Sequence, residues 1–188
     1  MTIKDKKLIY HLTSLANVSS ILDRGLLPRS GVKEFHDIAD SEILSARSKL
    51  DLENYVPFHW FARNPFDGRV QKDRPQESFI LISVHRDLAR GRNWKVIPRH
   101  PLANEEIQLY DYDKGFDEID WDVMERRNYK DALGKSVCMA ECLSPSAVNT
   151  EDFFKIYVST EDVEKAVQGK IRRRKLELGV TINPNMFC

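Results

Sequence analysis

Residues 136–143 read Ser-Val-Cys-Met-Ala-Glu-Cys-Leu, and Glu141 is the one carboxylate in this apolar run. Read as a strand, the run sets Glu141 on a face with Val137, Met139 and Leu143. Desolvating a carboxylate among such neighbours is costly, so Glu141 is either bonded to a structural partner or stands at a cleft where something binds it. His11, inside an alternating segment, raises the same choice between a satisfied core imidazole and a functional one. His100 lies between Pro98 and Pro101 in a basic loop, where side chains reach ligands more readily than in a core. Cys138 and Cys142 would stand about 13 Å apart along a strand, and structural zinc wants four converging ligands, so no metal is expected. On the face opposite Glu141 both thiols read as small core fillers.

These residues need elements to hold them. Residues 8–13 alternate as a strand buried on both faces, carrying His11 and Thr13 on one side. Asn17 is a good N-cap for a short helix through Ile21 and Leu22, which Gly25 ends. Residues 36–50 form a weaker amphipathic helix that places Arg47 one turn beyond Ile43. Residues 55–63 read as an aromatic strand stopped by a turn at Asn64-Pro65. Further strands are expected over 79–85, 95–97, 136–143 and 153–159. Asp120 caps a helix carrying Val123, Met124 and Tyr129, and Ser159 with Asp162 opens a last helix to about Gln168. Clustered strands with few helices between them give α+β rather than a doubly wound sheet.

The chain has 188 residues, 29 Lys plus Arg against 29 Asp plus Glu, and 41% apolar residues, which suits a single globular domain over 1–188. The longest apolar runs fall far below the roughly 20 residues that cross a bilayer, so no membrane association is expected. Residues 1–7 are charged and lead into too short an apolar stretch for a secretory signal. With three cysteines, an odd count, this points to free thiols and a cytoplasmic protein. Charge is uneven despite the neutral total: residues 84–100 hold five bases and one acid, 105–125 nine acids and one base, and 169–175 five bases. The last group starts a basic C-terminal tail, about 169–188, and these charge runs read either as a solvated loop and a frayed end or as a local basic surface that meets a polyanion. No Gly-x-Gly-x-x-Gly, Walker loop, His-Glu-x-x-His or Gly-x-Ser-x-Gly occurs, so nucleotide binding would need another design.

Several collinear segments together carry a resemblance. They are Ile9-Tyr10-His11-Leu12-Thr13, Ser20-Ile21-Leu22 with Gly25-Leu26-Leu27, Tyr55-Val56-Pro57-Phe58 with Phe61-Ala62-Arg63-Asn64-Pro65, Arg99-His100-Pro101-Leu102, Ile119-Asp120-Trp121 with Met124, and Met139-Ala140-Glu141-Cys142-Leu143. The ordered set resembles the DarT-type DNA ADP-ribosyltransferases, toxins that move ADP-ribose from NAD onto a base in single-stranded DNA. Thymidine-modifying members carry something like Phe-Ala-Pro-Arg-Ser-Pro-Met and Gln-Ala-Glu-Phe-Leu. Phe61-Ala62-Arg63-Asn64-Pro65-Phe66-Asp67 and Met139-Ala140-Glu141-Cys142-Leu143 depart from both, in the direction of the guanine-modifying branch. The basic residue six positions before the glutamate, an arginine in thymidine-modifying relatives, is Lys135 here.

The resemblance implies an ADP-ribosyltransferase fold with a central, mostly antiparallel split sheet and short flanking helices. It implies NAD as co-substrate, single-stranded DNA as acceptor, and a macrodomain antitoxin that removes the mark. Glu141 would stabilise the positive charge developing at the ribose, with Arg47 and His100 serving the chemistry near the acceptor. His11, Thr13, Asn17, Ser20 and Arg47 would bind NAD, with Ser19 an alternative to Ser20. Arg63, Arg69, Lys72, Arg74 and Lys135 would hold DNA, with Phe58, Trp60 or Phe66 available to stack a base. The rivals are the same fold acting on thymine, RNA or protein, and a non-catalytic nucleic-acid-binding module in which Glu141 is structural.

Overall fold

The computed structural model describes residues 1–32, 51–100 and 108–188. The helix expected over 36–50, and Arg47 with it, lies outside them. Alternation of apolar residues produces the first strand, β1 (Leu8–Ser14), as expected. A 3-10 turn then leads into α1 (Val18–Arg24), whose C-terminus Gly25 closes at φ 77. A Cβ at Gly25 would meet the Val148 carbonyl oxygen at 2.5 Å, so both the backbone angle and the close approach require glycine.

Strand β2 (Val56–His59) is shorter than expected. Asn64-Pro65 does not end it but opens α2 (Pro65–Asp73): the Asn64 side chain accepts from the Asp67 N–H, and proline takes the first helical position, where no donor is needed. Strand β3 (Phe79–His85) runs into α3 (Arg86–Gly91), followed by β4 (Lys95–Ile97). After α4 (Tyr112–Glu118), Asp120 caps α5 (Trp121–Arg126). That helix stops at Arg127, φ 48, which leaves Tyr129 beyond it.

Residues 136–143 are not one strand. Asp131 caps α6 (Ala132–Val137), accepting from Gly134 N–H at 2.7 Å, and β5 begins only at Glu141 (Glu141–Ser144). Gly134, Val137 and Cys138 are buried at helical spacing, a period masked in the sequence by β-branched and sulfur-containing residues. Val137 and Met139 therefore do not share a strand face with Glu141, and the strand spacing of Cys138 and Cys142 does not apply; both thiols lie in the main core. Strand β6 (Lys155–Val158) precedes α7 (Glu161–Arg173), which Thr160 rather than Ser159 caps. The basic segment from 169 forms the end of α7, and β7 (Val180–Ile182) follows, so this is structured chain rather than a frayed tail.

The strands form a seven-stranded sheet in the order β4-β5-β2-β1-β3-β6-β7. Its paired strands are antiparallel except β6 and β7, which α7 joins as a parallel crossover. The sheet is split in its middle: β1 pairs with β3 from Leu8↔His85 to Ser14↔Phe79, yet meets β2 only at Tyr10↔His59. One face holds the main core, with Ile9, Phe58, Ile80, Ile82, Val96 and Cys142 under residues of α1, α5 and α7. The other carries Leu12, Phe79 and Leu81 against Val70 of α2 and Phe187. This is the α+β architecture that the sequence implies.

Candidate active site

Glu141 opens β5 with its side chain buried at 5% exposure. Register aligns it with His59 on β2 and Ile97 on β4, and His59 in turn with Tyr10 on β1. Tyr10, His59, Glu141 and Ile97 thus form one row across the split. Because β4 ends at Ile97, the next residues leave the sheet beside Glu141, which brings Pro98, Arg99 and His100 to that end of β5. His100 is buried and donates its backbone N–H to Ser136 of α6 at 3.0 Å. A cleft of about 230 Å³ opens between this segment and α6, with Pro98 and Arg99, Tyr110, Glu118 and Asp120, and Leu133 and Val137 in its walls. Among the described residues, no three or more His, Cys, Asp or Glu side chains gather as metal ligands.

His11 is directed by alternation to the opposite side from Tyr10. Its Nδ1 donates to the Pro57 carbonyl at 2.7 Å, which fixes the tautomer, and its ring lies 5.7 Å from Phe58. Next to it, Thr13 Oγ1 accepts from Asn17 Nδ2 at 3.2 Å, so these two residues are brought together around the turn into α1. Asn17 holds the N-cap position of α1, but its side chain serves Thr13 instead of the helix. Ser20 accepts from Arg24 on the exposed side of α1, and Ser19 accepts from Lys170 of α7, so Ser19 ties two helices together.

The basic residues proposed for DNA sort by element. Arg63 is exposed in the β2–α2 loop at φ 61, its N–H held by Asp67 Oδ2 at 2.9 Å and its carbonyl by the Tyr129 hydroxyl at 3.3 Å. Arg69 and Lys72 are exposed on α2 and Lys135 on α6. Arg69 lies 3.7 Å from Asp73, and Arg74 3.4 Å from Glu77. Phe58 and Trp60 are fully buried, which removes both as stacking platforms, and half-buried Phe66 packs on the His59 ring at 5.3 Å. Tyr129, at 38% exposure, presents the aromatic ring nearest in bonding to Arg63.

Reading the sequence missed three residues. His59 sat unremarked inside an aromatic run. Asp67, 1% exposed, has its carboxyl pushed up to about 7 by burial. Arg86, buried, donates to the carbonyls of Leu8, Lys4 and Trp60 and lies over the Trp60 ring at 4.9 Å, with no salt bridge to a carboxylate among the described residues. It is one of the five bases of residues 84–100, and it fastens β1 and the exit from β2. Burial also raises the Cys138 thiol to about 11 and the Cys142 thiol further, so neither is a nucleophile at neutral pH.

Residues 10–188 match a family model described as DarT, ssDNA thymidine ADP-ribosyltransferase. The chain belongs to the DarT family. A curated relative from Thermosipho africanus, a DNA ADP-ribosyl transferase–DNA ADP-ribosyl glycohydrolase fusion protein, is 26% identical over 203 aligned positions. That alignment takes in 95% of this chain but 49% of the relative, so the chain spans about half its length. Thermus sp. 2.9 DarT in complex with ADP-ribosylated ssDNA superposes with a TM-score of 0.85 at 18% identity, covering 100% of this chain and 99% of that one. The same protein in complex with NAD+ gives 0.80 at 17% identity, covering 98% of each. The fold described above is therefore the DarT fold across the whole chain.

Proposed function

We propose that this DarT-family chain transfers ADP-ribose from NAD to guanine in single-stranded DNA, as the toxin of a pair whose antitoxin is a macrodomain glycohydrolase. The observation that carries the reading is the buried carboxylate of Glu141, at the first position of β5 in a chain matched to DarT over 10–188. The relatives' complexes with NAD+ and ADP-ribosylated ssDNA, and the fusion to a glycohydrolase, support NAD, the acceptor and the partner respectively.

The residues present suit NAD. A buried carboxylate fits a ribose hydroxyl, while His11, Thr13 and Asn17 offer a ring nitrogen, a hydroxyl and an amide on β1, the second strand over from β5, and on the turn after it. NAD supplies the ADP-ribosyl group and, in nicotinamide, a leaving group that departs neutral. Glu141 holds the hydroxyl and stabilises the positive charge that grows at the ribose as that bond breaks. His11 and Thr13, with Asn17 and Ser20, grip the dinucleotide, and Arg47 places charge-assisted bonds on it. His100 orients the base or takes the proton that the base loses on forming its new bond. Arg63, Arg69, Lys72, Arg74 and Lys135 attract the phosphates. An already open strand avoids the unstacking cost of reaching into a duplex, a few kcal/mol on the order of magnitude.

Guanine rests on the departures at Phe61-Ala62-Arg63-Asn64-Pro65 and Met139-Ala140-Glu141-Cys142. The thymidine in the family model's description favours the second reading, thymine. Incubation with NAD and oligonucleotides that each offer one reactive base type, followed by intact mass analysis, separates them. A gain of one ADP-ribose on guanine strands alone is expected, and a gain on thymine strands alone overturns the guanine assignment. Adducts on RNA or protein but no DNA strand overturn the acceptor class, and binding without turnover of NAD overturns the enzyme.

A further inference from the structure

We propose that His59 is the positioning partner of Glu141, a cross-strand imidazole that orients the carboxylate and holds it ionised for transfer. The inference rests on the functional reading above. Its basis is the register His59↔Glu141 between β2 and β5, together with the burial of both side chains, 6% and 5% exposed. Directly opposed residues of an antiparallel pair project to one face, with Cβ atoms about 4.5–5.5 Å apart. The two side chains are thus neighbours on one face, buried to a similar extent.

Glu141 must be ionised to stabilise positive charge at the ribose, yet burial favours its neutral form. A cation or strong donor close by reverses that preference. Arg86, a buried guanidinium in the same half of the molecule, is committed to the carbonyls of Leu8, Lys4 and Trp60. His59 is the titratable group that the sheet itself sets beside the carboxylate, and a charge-assisted bond between them would be short and directional. Among the described residues, register and ring packing set three groups against His59. On β1 stands the Tyr10 phenol, pushed up to about 12 by burial and so neutral; on β5 stands Glu141; α2 offers the apolar Phe66 ring at 5.3 Å. That ring packing fixes the imidazole plane, and through it the carboxylate. The two groups then titrate as one unit rather than as separate sites.

The test compares His59→Phe, which keeps the packing on Phe66, with His59→Gln, which keeps hydrogen bonding but cannot carry charge. Steady-state transfer to single-stranded DNA is measured across pH, with melting curves as a folding check. His59→Phe is expected to lower kcat on the order of 10²-fold with little change in KM for NAD, the cost of a misplaced catalytic group. His59→Gln is expected to recover part of kcat while losing one limb of the wild-type pH profile. Wild-type kcat and an unchanged pH profile in His59→Phe, or in His59→Gln should the phenylalanine variant not fold, overturn the inference while leaving the enzyme intact. Absence of any adduct with the wild-type protein overturns the functional reading and this role with it.

Discussion

At Asp67 one carboxylate oxygen accepts from the Arg63 N–H, while Oδ1 is buried with no hydrogen-bond partner among the described residues. Burial raises its folded pKa to about 7, above the ordinary aspartate value. The folded protein therefore binds more protons here than the unfolded chain between about pH 4 and 7. Stability from this group is highest in acid and is lost as pH rises through 7, the reverse of an ion-paired aspartate. Asp67→Asn keeps an acceptor for the Arg63 N–H and removes the charge. Its unfolding free energy minus that of the wild type is expected to climb between pH 4 and 8, reaching a gain on the order of a few kcal/mol, and a difference flat in pH contradicts this. Legibility differs among such residues. Glu141 stood out because its neighbours are apolar, whereas Asp67 sits among Arg63, Arg69 and Asp73 and looks like ordinary surface until a capped helix buries it.

Elements were readable where one period dominates. β1 and β3 alternate or stay apolar over their length, and the structure places them where expected. The region 136–143 fails because a short helix and a short strand meet inside one apolar run, and Asp131, the cap that separates them, lies before the segment that drew the eye. β7 was missed since its pairing with β6 depends on a distant crossover that no local pattern encodes. The junction of β1 with the exit of β2 depends on Arg86, whose fork satisfies three carbonyls. Replacing it with Met leaves those acceptors buried and unmet, and the expected loss is about 3 kcal/mol or more in chemical denaturation. Arg86→Lys is expected to recover little of it, because an ammonium lacks the planar fork. Wild-type stability in either variant would show that the carbonyls find water or other donors.

Across the molecule, the uneven charges of the sequence largely answer one another. Arg90 reaches Asp113 at 2.7 Å and Lys95 bonds Asp111, so the basic stretch 84–100 neutralises part of the acidic stretch, while Arg92 meets Asp152 at 2.6 Å. Exposed cations also stand on the β2–α2 loop, α2 and α6: Arg63, Arg69, Lys72 and Lys135. Both that loop and α6 border the strand ends where His59 and Glu141 stand. At the centre of this arrangement is Glu141. The most direct test measures ADP-ribosyl transfer from NAD to single-stranded DNA by the wild type and by Glu141→Gln, whose folding is checked by melting. The expected result is a loss of 10²-fold or more, on the order seen when one electrostatic stabiliser is removed, in a variant that melts as the wild type does or higher. Transfer at the wild-type rate by a folded Glu141→Gln protein would contradict the account.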